Sequence, residues 1–80
     1  MDTYSAVKKR LLMLLEEKRC PIHRLAIESG VSPSTIKNIL YGKRTHPGVV
    51  TIKLLCDGFG ITLLEFFDDP VFESLKQELQ

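Results

Sequence analysis

Apolar residues recur along the chain at steps of three and four, in several short segments, and no segment alternates with a period of two. Tyr4, Val7, Leu11 and Leu14 make the first stripe, which Leu12 and Leu15 widen. This predicts a helix over 3–18, with Lys8, Lys9 and Arg10 mostly on its solvated side. Pro21 suits the first turn of a second helix, whose inner face is Ile22, Leu25 and Ala26 and which Gly30 stops. Ser32 and Pro33 form a start signal of N-cap and first helical position for a third helix, with Ile36, Ile39 and Leu40 inward and Gly42 at its end. Residues 43–48 read as a loop. A fourth helix is expected over 49–58, with Val50, Ile52, Leu55 and Cys56 inward, and "GFG" at 58–60 closes it. A short fifth helix over 61–68 would turn Leu64 and Phe67 inward. Asp69-Pro70 predicts a last one over 70–79, with Phe72, Leu75 and Leu79 on one face. The fold class is therefore all-α: a compact five-helix bundle with a further short C-terminal helix.

The stretch "LAIESGVSPSTIKNILYGK" (25–43) ends one short helix and begins another within three residues. Such a corner is a poor way to build a core and a good way to hold the second helix out from the surface. Ala26 belongs where two helices cross closely, Gly30 makes the turn, Val31 plugs the space beneath it, and Ile36 and Ile39 anchor the second helix to the core. At about 100° per residue, Lys37, Tyr41, Ser34 and Asn38 fall on the arc opposite Ile36, Ile39 and Leu40. That outer arc offers hydroxyl, amide, ammonium and phenol groups and no carboxylate. Asn pairs bidentately with adenine, Ser donates or accepts, and Lys reaches guanine or phosphate; a helix fits the major groove of B-form DNA.

Charge sharpens this reading. The formal net charge is only +1, yet residues 1–48 carry nine Lys/Arg against four Asp/Glu, and residues 49–80 carry two against six. A basic half and an acidic half can orient a small domain on a polyanion. Eighty residues make one small domain, and a hydrophobic fraction of 44% is enough to bury a core rather than leave the chain disordered. The longest apolar run, "LLMLL" at 11–15, is too short to span a bilayer and is flanked by charge, and the first ten residues hold no signal-peptide cleavage site. No membrane association and a cytoplasmic location are expected. Cys20 and Cys56 are then free thiols. Cys20 and His23 have a metal-like spacing, but no second pair completes a site. With no convergent nucleophile, base and oxyanion donors, and no cofactor pocket foreseen in so small a core, an enzyme is not expected.

The segment from about Leu11 to Phe67 resembles the helix-turn-helix family of phage Cro and lambda-type repressors, often called the Xre family. The likeness rests on "LLEEKR" ending the first helix, "LAIESGVSPSTIKNIL" for the second and third, "YGKRTHP" after them and "TIKLLCDGFGITLLEFF" for the last two. It implies a bundle of about five helices that binds operator DNA as a dimer and represses or activates transcription; a repressor is expected here. It also implies that Ser32, Pro33, Ser34, Lys37 and Asn38 lie where the family reads base edges, while Lys43, Arg44 and Thr45 meet phosphates beside them. Thr35 and Tyr41 complete the candidate DNA-binding set. The sequence departs from the family in two places. Pro21 and Ile22 stand where Ser and a phosphate-binding Gln are common, and Pro33 and Ser34 stand where longer polar side chains are common. Readout is expected to rest more on Asn38, Lys37 and Tyr41, or on DNA shape.

Residues 1–68 are expected to form the DNA-binding domain and 69–80 a C-terminal segment. Phe66, Val71, Phe72, Leu75 and Leu79 are more apolar surface than a small monomer leaves bare. They either fold back on the bundle or form a two-fold interface, and the interface is favoured because symmetric pairs suit short palindromic operators on double-stranded DNA. The rival reading is a protein-interaction module, an antitoxin-like adaptor built on the same bundle.

Overall fold

The structure is a computed structural model and describes residues 1–42 and 46–79. Its helices are α1 (Thr3–Glu17), α2 (Ile22–Ser29), α3 (Pro33–Tyr41), α4 (Val49–Phe59) and α5 (Leu63–Phe67), followed by a 3-10 turn at Pro70–Phe72. All described regular structure is helical, as the periodicity predicts. Asp2 starts α1 by accepting the Ser5 N–H at 2.8 Å. Arg19 ends it in the left-handed region, at φ 48°, where a side chain is strained.

One core runs through the bundle. Val7, Leu11 and Leu14 of α1 meet Leu25 and Ala26 of α2, Ile36, Ile39 and Leu40 of α3, Ile52, Leu55, Cys56 and Phe59 of α4, and Phe66 of α5. The corner between α2 and α3 forms as expected. Gly30 takes φ 73° and donates its N–H to the Ala26 carbonyl at 2.9 Å, and Val31 is buried behind it. Ser29, which the sequence pattern did not single out, is buried too, and its hydroxyl accepts the Val31 N–H at 3.2 Å. The turn is thus fixed by a backbone conformation and a side-chain bond together. Helices α2 and α4 pass close at Gly58, where a Cβ would stand 2.9 Å from the Ser29 Cβ and 3.1 Å from its backbone nitrogen.

Five expectations are corrected. Pro21 is the N-cap of α2 rather than part of its first turn, and it provides no side-chain bond. Arg10 is not on a solvated face: it is 9% exposed. Its Nε donates to the Phe66 carbonyl at 2.7 Å and its Nη2 to the Glu65 carbonyl at 2.9 Å, with Asp69 3.6 Å from its Nη1. Val50 is 69% exposed, because it projects from the side of α4 opposite Ile52, Leu55, Cys56 and Phe59. In α5 the buried ring is Phe66, while Leu64 is 84% exposed and Phe67 is exposed. Thr62 sets that register through a capping box: its hydroxyl accepts the Glu65 N–H while Glu65 accepts the Thr62 N–H, each at 3.0 Å.

The fifth correction is the helix expected over 70–79. Asp69 does cap, accepting the Val71 N–H at 2.9 Å, but the helix stops after one turn. The remaining residues close on the start of α1 instead. Glu78 accepts both the Thr3 N–H at 3.0 Å and the Thr3 hydroxyl at 3.1 Å, and the Lys76 N–H donates to the Met1 carbonyl at 3.1 Å. A carboxylate at a helix N-terminus is favoured by the partial positive charge there. Val71, Phe72 and Leu75 are half-buried, Phe72 against the rings of Phe66 and Phe67, and Leu79 stays exposed.

Candidate nucleic-acid interface

Helix α3 is built from its cap outward. The Ser32 hydroxyl accepts the Thr35 N–H at 3.2 Å, bonds the Thr35 hydroxyl at 2.8 Å and lies 3.2 Å from that of Ser34. Pro33 takes the first helical position, where its lack of an N–H costs nothing. Ile36, Ile39 and Leu40 bind the inner face to the core. At the far end the Tyr4 hydroxyl of α1 donates to the Ile39 carbonyl at 2.9 Å and lies 3.4 Å from the Gly42 carbonyl. The helix is therefore held at both ends and along one side.

The other side is open. Ser32, Pro33, Ser34, Thr35, Lys37, Asn38 and Tyr41 are all exposed, Tyr41 at 67%. The Lys37, Asn38 and Tyr41 side chains make no hydrogen bond or ion pair among the described residues, so their donors and acceptors face solvent. Between Glu28 and Asp57 the chain holds no carboxylate side chain. Nothing on the α3 segment itself repels a polyanion. Lys43, Arg44 and Thr45, expected beside phosphates, lie outside the described residues.

Thr51 and His46, each of which the sequence leaves open as a phosphate contact or a purely local residue, belong to a second feature. The first N–H groups of α4, like those of any helix, have no intrahelical acceptor, and its N-cap Gly48 supplies no side-chain acceptor for them. They open near a groove of about 270 Å³ that Thr35, Asn38 and Ile39 of α3 line together with His46, Pro47, Gly48 and Thr51. The Thr51 hydroxyl makes no hydrogen bond among the described residues, and His46 is exposed. Hydroxyls, an amide, an imidazole and a helix N-terminus thus border one depression next to the outer face of α3. Such a set suits an anion. At the opposite end of α3, His23, Ala26, Ile27, Gly30, Val31, Ser32 and Pro33 line a shallow groove of about 490 Å³ that is nearly all apolar.

Other candidate chemistry does not assemble. Cys20 is half-buried and Cys56 buried, both as free thiols. Burial pushes the Cys56 thiol above its ordinary range, and the neighbouring Asp57 carboxylate adds to this. Among the described residues no three His, Cys, Asp or Glu side chains gather as a metal would require, and no helix is long and apolar enough to cross a membrane.

Comparison with known proteins agrees with this geometry. A helix-turn-helix family model (HTH_3) matches residues 11–66, which contain α2, the Gly30 corner and α3. A solved structure described as "Crystal structure of the prophage Lp1 protein 11" superposes with a TM-score of 0.77 at 29% identity, over 94% of this chain and 100% of that one. No curated protein matches the sequence.

Proposed function

The chain belongs to the helix-turn-helix family of DNA-binding regulatory domains, and from that premise we propose that it is a sequence-specific transcriptional regulator of cytoplasmic DNA, acting as a repressor. Helix α3 lies in the major groove and presents Ser34, Lys37, Asn38 and Tyr41 to base edges. The observation that carries this is the outer face of α3: exposed, polar and free of carboxylates, with the Lys37, Asn38 and Tyr41 side chains making no hydrogen bond or ion pair among the described residues. Phosphates are held beside it. Lys43, Arg44 and Thr45 supply one set of contacts, and the uncapped start of α4 with Thr51 supplies another.

The regulator binds a palindromic operator as a homodimer, with its two copies of α3 about 34 Å apart. Exposed Val50 and Leu54 on α4 and Leu64 on α5 leave apolar surface for the partner, and Leu79 in the C-terminal segment is exposed too. Sedimentation should show a dimer at high protein concentration; a monomer throughout removes this part of the proposal.

Selection of bound duplexes from a random pool tests the whole reading. Enrichment of one sequence with two-fold symmetry and half-sites one helical turn apart is the expected result. A pool that never enriches would overturn it and favour the adaptor.

A further inference from the structure

The helix proposed to read bases begins with a residue that has no hydrogen bond to donate. Pro33 is exposed at the first position of α3 and has neither an N–H nor a polar side-chain atom. The hydroxyls around it are occupied with one another: Ser32 bonds the Thr35 N–H and hydroxyl and lies within reach of Ser34. Beyond Pro33 the surface turns apolar. Ile27, at 78% exposed, and Val31 share with Pro33 the groove of about 490 Å³ at the corner between α2 and α3.

This apolar edge runs directly into the polar face proposed to meet base pairs, so its occupant should also be part of the duplex. The major groove offers one apolar feature on its floor, the C5-methyl group of thymine; every other distinguishing group there is a donor or an acceptor. Resting on the DNA-binding reading above, we propose that Pro33, backed by Ile27, selects thymine at one fixed position of each half-site by packing against that methyl group. Pro33 is then a specificity-determining residue that works by shape and desolvation, while Asn38 and Lys37 work by hydrogen bonds.

The test begins with the enriched duplex from the selection. Each thymine of one half-site is replaced in turn by deoxyuridine, which removes only the methyl group, and binding is followed by fluorescence anisotropy. One position should bind roughly fourfold more weakly, the worth of one methyl group withdrawn from water. Pro33→Ala, checked for an unchanged helical spectrum and melting temperature, should bind the thymine and uracil duplexes alike at that position. Two results overturn the inference while leaving the DNA-binding reading intact. One is a wild-type protein indifferent to uracil at every position. The other is a Pro33→Ala protein that keeps the full penalty, which would place the methyl against another residue. Pro33→Ala weakening every duplex equally, with no uracil effect in either protein, would mark a sugar–phosphate contact and also overturn it. If no duplex is selected at all, the regulator reading itself fails and this inference falls with it.

Discussion

The phenol of Tyr4 donates a hydrogen bond to the Ile39 carbonyl at 2.9 Å, across 35 residues of sequence, and so ties the first turn of α1 to the last turn of α3. The final carbonyls of a helix have no partner within it. Here another helix supplies the donor. Tyr4→Phe keeps the ring and removes the bond, and should lower stability by about 1 kcal/mol in urea denaturation. Amide exchange in the last turn of α3 should quicken with it. Unchanged exchange there would mean that water replaces the phenol at no cost.

Arg10 plays the same part for α5 with higher stakes. Its two donors occupy the carbonyls of residues 65 and 66, and its guanidinium lies 5.9 Å from the centre of the Phe66 ring. Arg10→Met fills the space but leaves those carbonyls without a donor and Asp69 without its cation. A loss of about 2–4 kcal/mol is expected. A change below about 0.5 kcal/mol in chemical denaturation would show that the buried charge repays little more than its own desolvation.

Arg19 holds a left-handed conformation that favours glycine. Arg19→Gly should raise stability by about 0.5–1 kcal/mol, because the relief of strain exceeds the added backbone entropy of the unfolded chain. Thermal melts of the two proteins decide this.

The two thiols should separate chemically. In the folded protein iodoacetamide should alkylate half-buried Cys20, and Cys56 only after unfolding. The folded pKa of Cys56 lies above its ordinary value of 9.0, so the folded state holds its proton more tightly than the unfolded chain. Cys56 therefore contributes stability that is fully present below pH 9.0 and is lost as the pH rises through the folded value. Cys56→Ala should flatten that decline.

At the interface, affinity should fall steeply with salt. With about four phosphates neutralised per protomer, a dimer's log K against log salt should have a slope near −7. Asn38→Ala should cost about 1–3 kcal/mol and relax preference at one base position, whereas Lys43→Ala should weaken all sequences alike. Titrations in which both variants shift every sequence equally would remove Asn38 from base reading.

Much of the fold was legible because it rests on local requirements. The left-handed turn at Gly30, the cap at Ser32 and the inward set Ile36, Ile39 and Leu40 follow from backbone conformation and helical period. The same period also puts Ser34, Lys37, Asn38 and Tyr41 outward. The misses share a different cause. Arg10 sits among three basic residues, and its partners lie 55 and 56 residues away, so nothing nearby marks it as buried. A helix of five residues is too short for periodicity to choose between Phe66 and Phe67. The start signal at Asp69-Pro70 is genuine, but the groups that residues 76 and 78 bond belong to Met1 and Thr3, at the far end of the sequence. At the interface, the open cap at Gly48 and the groove shared by Ile27 and Pro33 exist only once α2, α3 and α4 are assembled.

The closure of residues 76 and 78 on residues 1 and 3 makes the backbone behave as a ring rather than a string. Fraying at one extremity loosens the other, and α1 is the helix that begins there. Since α1 also carries Tyr4, a disturbance at the chain's extremities has a mechanical route to the last turn of α3: a bulky fusion placed before Met1 would be felt there.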